Sequence, residues 1–587
     1  MTSVQAVMRG AWGLSSSLRQ WCRSLAWLPL LLLIPVAPLL GAQPDPDEAC
    51  LTAPLQEDTD AFRFKPSPGH DALQVQIPPG VKIRSIRYRR YSVFDLQDPK
   101  EDGLVYRWAN DFHSETREWV LRDQLLLAEG DVYEPRRAEE SERILRNLKF
   151  IYDARVRPWR WCGDFVDVEV ITRDIWTFTP ALSLSRSGGE NAYSVGFRDA
   201  NFLGTGKQVL VAYDSDEERA GYTFVYADPA VMGSRWQVRA RYTDNDDGYD
   251  HGLRIEKPFF SIYEPWSVGT SLDQQKLEQK IWYRGDEVSE FDHEQEQYNL
   301  YGGVASQLEV DKRVNRWLFG YFLENNAFEF SDSDIPPAEL PEDRDYSYPW
   351  IGYQSVEDEF AQLHNFNYLG RTEDIFVGER YEWALGYSTE GLGATRDQIA
   401  FRGSYRNTLL AEDRQLWVVS SWLNGYWTLD DAELENFWWQ AESRYQLKQS
   451  QRWALYSGLR VDYTDGLTDD NQLTLGGHNG LRGYDLHYQV GDRSVVWNLE
   501  QRYYSDWHPF RLIRVGFAAF VDVGRAWFAN QDNGSNGGVL ANAGLGLRLN
   551  SSRAEKSSVV HVDVAFPFMR DDDVDGMQVL LTVKERF

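Results

Sequence analysis

From residue 178 to the C-terminus apolar and polar positions alternate with a period of two, and helical spacing is absent for about 400 residues. In RWQVRARYT, Trp236, Val238, Ala240 and Tyr242 share one face, and Gln237, Arg239, Arg241 and Thr243 the other. In RWALYSGLRVDYT the set Trp453, Leu455, Leu459, Val461 and Tyr463 opposes Arg460 and Asp462. VVHVDVAFPF sets Val560, Val562, Val564, Phe566 and Phe568 against His561 and Asp563. Strands of about ten residues, apolar on one face and charged on the other, predict an all-β transmembrane antiparallel barrel with a polar lumen. Soluble sandwiches alternate as well, but they are far shorter than this region. The strands also end repeatedly in Trp or Tyr, as interface girdles do, and long acidic loops such as SDSDIPPAELPEDRDYSY alternate with tight turns such as DPAVMGS. Direct marking yields roughly 16 to 20 strands, because residues 346–378 read either way. After Leu475 five strands mark cleanly, at about 493–506, 511–527, 539–550, 557–568 and 577–587.

The pattern before residue 176 is different. VKIRSIRYRRYSVFD reads as a strand. SETREWVLRDQLLLAEGDVY puts Trp119, Val120, Leu125 and Leu126 at helical spacing before a stop at Gly130. EPRRAEESERILRNLKF starts a second helix at Pro135, with Ile144, Leu145 and Leu148 on one face. In DFVDVEVITRDIWTF, Val166, Val168 and Val170 alternate with Asp167 and Glu169. The order β-α-α-β-β predicts a small α+β domain over residues 81–175, followed by the barrel over 176–587. Residues 43–80, rich in Pro and Asp, read as an extended lead-in. Residues 1–42 read as a secretory signal: Arg9, Arg19 and Arg23 precede an apolar run that Pro29, Pro35 and Pro38 make unfit as a permanent span.

Composition sharpens this picture. Aromatic residues are 14% of the chain, with 23 Trp and 31 Tyr, beside a negative mean hydropathy; membrane interfaces use that many amphipathic rings. The net charge is −29, and −32 once the signal is removed, which argues against a nucleic-acid partner. After the signal no run of 18 apolar residues occurs, so no transmembrane helix is expected. Cys22 leaves with the signal; Cys50 and Cys162, in an oxidising compartment, could pair or stay free, and two cysteines alone make no zinc motif. There is no G-x-S-x-G; HEQEQ at His293 lacks the second histidine of a zinc motif, and DNDDGYD at 244–250 lacks the distal glutamate of a calcium loop. The expectation is a protein that is not an enzyme and uses no cofactor or metal.

Four landmarks in order then resemble the BamA/TamA superfamily of outer-membrane assembly and translocation barrels (the bacterial surface antigen family). They are the β-α-α-β-β unit, similar to a single POTRA (polypeptide-transport-associated) domain; NFLGTGK at 201–207, similar to an early periplasmic turn; GLRGY at 480–484; and FVDVGRAW at 520–527. The chain also ends in Phe587, as such barrels do. The resemblance implies a barrel of 16 strands, which is adopted over the direct marking. It implies that GLRGY lies in the sixth extracellular loop and folds back into the lumen. There Arg482 would meet Glu500 and Asp522, with Gly480, Leu481, Gly483 and Tyr484 shaping the loop. It further implies a seam between the first and last strands, the last carrying Val579, Leu581, Val583 and Phe587 on one face. The partners implied are outer-membrane lipid, an unfolded outer-membrane protein or exoprotein client, and a periplasmic or inner-membrane partner held by the POTRA domain. Assembly or translocation is the leading expectation. A two-partner-type secretion pore and a passive porin or surface antigen are the alternatives.

Overall fold

The computed structural model describes residues 50–52, 76–96, 98–306, 312–364, 366–367, 372–529, 538–554, 559–569 and 574–584. The signal segment, most of the lead-in and Phe587 lie outside them.

The N-terminal domain is built on Phe165–Asp174, which pairs in parallel with Lys82–Tyr91 on one side and antiparallel with Ile151–Cys162 on the other. The alternating Val166, Val168 and Val170 pack with Leu121, Leu145, Ala154 and Val156 in its core. On the opposite face Asp167 and Glu169 are buried too, and Arg84 and Arg87 hydrogen-bond to them at 2.9 and 3.0 Å. Paired burial of this kind makes a charged layer tolerable. Cys50 and Cys162 form a disulfide, with Cα atoms 4.4 Å apart, and Leu51–Thr52 adds a short strand beside Ile151–Cys162.

The helices correct the expected order. There are three α-helices among the described residues: Leu104–Phe112, Glu118–Arg122 and Pro135–Asn147. The expected helix in SETREWVLRDQLLL is cut to Glu118–Arg122. The guanidinium of Arg235, from the barrel, takes the carbonyls of Asp123 and Leu125 at 2.6 Å each. Those are carbonyls that a longer helix would use for its own ladder.

The barrel is a closed sheet of 20 antiparallel strands, not 16. The ambiguous stretch resolves as a barrel strand, Arg344–Glu357, a separate hairpin of Phe360–His364 with Thr372–Phe376, and a second barrel strand, Gly378–Ser388. Period-two patterning marks each of these alike and cannot tell wall from insertion. The five C-terminal strands are Arg493–Tyr504, Ile513–Trp527, Leu540–Ser551, Val559–Pro567 and Gln578–Lys584. The extra strands therefore precede the GLRGY loop, which becomes the eighth rather than the sixth connection at its end of the barrel. Side chains such as Trp317, Phe319, Leu385, Trp417 and Leu545 point outward and are exposed, whereas Asp522, His561 and Asp563 point inward and are buried. Among the described residues the ring closes with Leu581 of the last strand opposite Arg186 of Phe178–Ser187. No described helix is long and apolar enough to cross a membrane.

The N-terminal domain sits against one end of the barrel, the near rim. Asn201 of the NFLGTGK turn is buried; it donates to Thr116 at 2.8 Å and accepts from the amide of Gly206 at 2.7 Å. Arg146 forks onto Asp374 of the separate hairpin with two bonds of 2.7 Å, and the amide of Ile262 donates to Glu140 at 3.0 Å. Arg553, buried in the last near-rim turn, pairs with Glu101 and donates to Val93 O at 2.9 Å. Burial pulls its pKa down to about 10 against the opposing pull of Glu101, so it stays charged at neutral pH.

Candidate functional site

The far-end loop between Trp453–Asp465 and Arg493–Tyr504 enters the lumen. Leu473–Leu475 pairs with Gln489–Gly491 at its neck, and Leu475, Leu481, Tyr484 and Tyr488 pack on Val496, Ala526, Leu540 and Val574. Two glycines of the motif are required by geometry. Gly480 has φ +115°, and a Cβ there would sit 2.8 Å from Val496. Gly483 passes so close to the wall that a Cβ would lie 2.6 Å from that of Asn542. Tyr484 is fully buried; its hydroxyl lies 2.9 Å from Ala541 O and 2.6 Å from Met569 O, so it tethers the loop to two neighbouring chain segments.

This path delivers Arg482 to the wall. It donates to Asp522 from Nε at 2.8 Å and from Nη2 at 2.7 Å, and to Glu500 from Nη1 at 2.7 Å. The structure thus brings together the three residues paired from the sequence. Strand register explains why Asp522 can hold a buried charge. It lies opposite Asn498 on one neighbouring strand and Asn542 on the other. Their amides donate to its two oxygens at 2.7 and 2.9 Å, so together with the guanidinium four donors replace its hydration.

Sequence reasoning missed three members of this cluster. Asp563 accepts from Arg482 at 3.3 Å and pairs with Arg548, which is fully buried; Arg502 donates to the second oxygen of Glu500 at 2.9 Å. Three arginines thus face three carboxylates, and the buried network balances its charge. It also missed Phe520, whose ring centroid lies 3.4 Å below the Arg482 guanidinium. The signal was present: His561 and Asp563 interrupt an apolar strand on its inward face, but only the register shows that Asp563 reaches Arg482.

Beneath the latch a cavity of about 850 Å³ extends toward the near rim, bounded by His478 and Gly480 of the loop and by Asp374 and Ile375 of the separate hairpin. Leu363, Phe366 and Ile375 of that insertion pack on Leu416 and Val418 of the wall. Both ends of the lumen therefore carry inserted chain. At the far rim the loop is tied again, His487 stacking on Trp282 and approaching Glu217 at 3.3 Å.

On the last strand Val579, Leu581 and Val583 register with Val564, Val562 and Val560, keeping one outward face. Phe587 lies outside the described residues. A second cavity, about 700 Å³, lies along the outer edge of Lys82–Tyr91, where Ile83 exchanges two 2.8 Å bonds with Asp131 and Gly130 and the amide of Ile86 donates to Glu129 at 3.0 Å. Ile86, Tyr88, Arg122, Leu125 and Leu127 line it, together with Tyr263 from a near-rim turn.

Residues 392–549 match the profile of the haemolysin secretion/activation protein family ShlB/FhaC/HecB. That segment contains the loop, Arg482, Glu500 and Asp522, and the match bears out the superfamily resemblance. No curated protein matches the chain. Similar solved structures include CdiB from Escherichia coli, at 14% identity over 86% of this chain and 77% of that one, TM-score 0.45. CdiB from Acinetobacter baumannii is similar at 12% identity over 86% and 74%, TM-score 0.41. BamA from Haemophilus ducreyi lacking POTRA domains 1-3 is similar at 12% identity over 86% and 85%, TM-score 0.39.

Proposed function

We propose that this chain, an outer-membrane barrel of the BamA/TamA superfamily, inserts or translocates polypeptide clients, with its N-terminal domain acting as a periplasmic POTRA domain. The observation that carries this reading is the far-end loop held inside the lumen by Arg482 on Asp522 and Glu500. One loop cation held on three wall carboxylates is a contact that can be broken as a unit, which suits a barrel that changes state during a cycle. Beyond Ile86, whose amide is taken by Glu129, the outer edge of Lys82–Tyr91 would offer main-chain hydrogen bonds to an extended client regardless of its sequence. The groove beside it runs to Tyr263 on the rim, so a captured segment is held next to the barrel. An unpaired edge inside lipid is costly, so opening the seam at Leu581 and Arg186 drives a nascent strand to cover it. No bond is made or broken, and no catalytic residue is assigned.

The test is a reversible lock. A full chain with Arg186→Cys and Leu581→Cys is oxidised, and insertion of an unfolded barrel protein into vesicles that carry it is followed. Insertion should stop on oxidation and return on reduction; insertion that continues through a locked seam overturns the mechanism. The matched family profile favours a second reading, a secretion pore for an exoprotein. Such a pore would pass its client through the lumen, and the locked seam would leave secretion intact.

A further inference from the structure

The helix Leu104–Phe112 is docked by the face that a water-exposed helix would normally turn outward. It is held to the rest of the protein by Tyr106 and Asn110, while Arg107 pairs locally with Asp102 at 2.6 Å. Asn110 exchanges two hydrogen bonds with the backbone of Phe94, at 3.0 and 2.9 Å. Tyr106 packs its ring 4.9 Å from that of Phe94 and donates its hydroxyl to Phe510 O at 2.9 Å. The apolar residues fall on one stripe facing away from the protein. Leu104 and Val105 are each 68% exposed, Trp108 59% and Phe112 79%.

A second observation concerns the near-rim turns. Phe202–Gly204, Val231–Gly233 and Pro509–Arg511 are single 3-10 turns whose middle residues, Leu203, Met232 and Phe510, have φ of 54°, 52° and 54°. Positive φ strains a bulky apolar residue, and turns needing it ordinarily take Gly, Asn or Asp. Here the three side chains are exposed, Met232 completely, and Phe202 and Trp507 beside them are exposed as well. Backbone strain and apolar exposure fall on the same positions in three separate turns. In water both are unfavourable, whereas a lipid interface rewards the exposure.

We propose that helix 104–112 and these turns form an interfacial anchor, seated in the bilayer leaflet at the near rim, that fixes the N-terminal domain beside the membrane. Lipid is the occupant because the patch continues the outward wall of the barrel. Phe510 leads into Ile513–Trp527, whose Ile513 and Phe517 are exposed on the outward face, and Tyr106 ties the helix to Phe510 itself. A second protein at this place would have to displace lipid from the same wall. The geometry is that of an amphipathic helix lying in the interface plane, its apolar face sunk about 5–10 Å below the headgroups.

The test uses the full chain in phosphatidylethanolamine/phosphatidylglycerol vesicles. A depth-sensitive fluorophore is placed at Val105→Cys or Met232→Cys, and quenching by nitroxides at graded acyl-chain depths is measured. Both labels should be quenched at shallow depth, independent of the protein-to-lipid ratio. Quenching by aqueous iodide alone overturns the anchor. Protection that disappears on dilution into more lipid overturns it in favour of a second copy. Trp108→Glu with Phe112→Glu, its barrel checked by heat-modifiable gel mobility, should expel the label at 105 and leave the label at 232 in place. If the label at 105 stays buried in that variant, the helix is not the anchoring element.

Discussion

Replacing Arg482 by alanine should release the lumenal loop. Arg482 makes three hydrogen bonds of 2.7–2.8 Å to Asp522 and Glu500 and one of 3.3 Å to Asp563, all buried. Its loss leaves three carboxylates facing Arg502 and Arg548 alone, one negative charge in excess. Breaking a buried pair by removing one partner costs about 3–5 kcal/mol. The carboxylates are on the wall and the cation is on the loop, so this cost falls on the loop-in state. At about 1.4 kcal/mol per tenfold, the loop-out fraction rises from about 10²-fold to about 4 × 10³-fold. The assay is limited proteolysis of intact outer membranes with an enzyme that cuts after Tyr484, Leu486 or Tyr488. Its rate follows the open fraction when reclosing is faster than cleavage. Arg482→Lys should fall between the two, because an ammonium keeps the charge but cannot fork onto Asp522. Cleavage of R482A at the wild-type rate, or a lysine variant indistinguishable from wild type, would refute the latch.

Gly483→Ala should mimic this release without touching a charge, since its Cβ would collide with Asn542; overpacking of this kind costs about 1–3 kcal/mol and should lower the temperature of heat-modifiable unfolding. Cys50→Ser removes a crosslink that closes a loop of 112 residues; the N-terminal domain should lose about 2–5 kcal/mol and become protease-sensitive while the barrel stays folded. His508, in a near-rim turn beside Ser552, has its pKa pushed down to about 4 by burial and then by Arg514, Arg553 and Arg511. Above the ordinary histidine pKa of about 6.5 it is neutral folded or unfolded; between there and about 4 the unfolded chain binds the extra proton. Stability should therefore fall as the pH is lowered from about 6.5 to about 4, and His508→Gln should flatten the slope in thermal melts.

Much of this molecule is legible in its sequence because lipid imposes a strict rule. A strand with lipid on one side and a polar lumen on the other must alternate, so fold class, the last five strands and the inward position of Asp563 all follow from local pattern. The motif residues of the latch were legible only through resemblance. Alternation around Phe517–Val523 is too mixed to place Asp522, and both Phe520 and Asp522 prove to face inward. What the sequence could not determine was everything that depends on which strand meets which. The number of strands, the separate hairpin Phe360–His364 with Thr372–Phe376, and the position of the GLRGY loop as the eighth connection depend on closing the ring. So does the gathering of Arg502, Arg548 and Asp563 around Arg482. Tertiary contact also decided the helices, for Arg235 ends one by taking its carbonyls, and Leu104–Phe112 turns its apolar side away from the protein. Local pattern reports which side of a strand is apolar; register, closure and docking decide which charges are neighbours, and here those neighbours are the site.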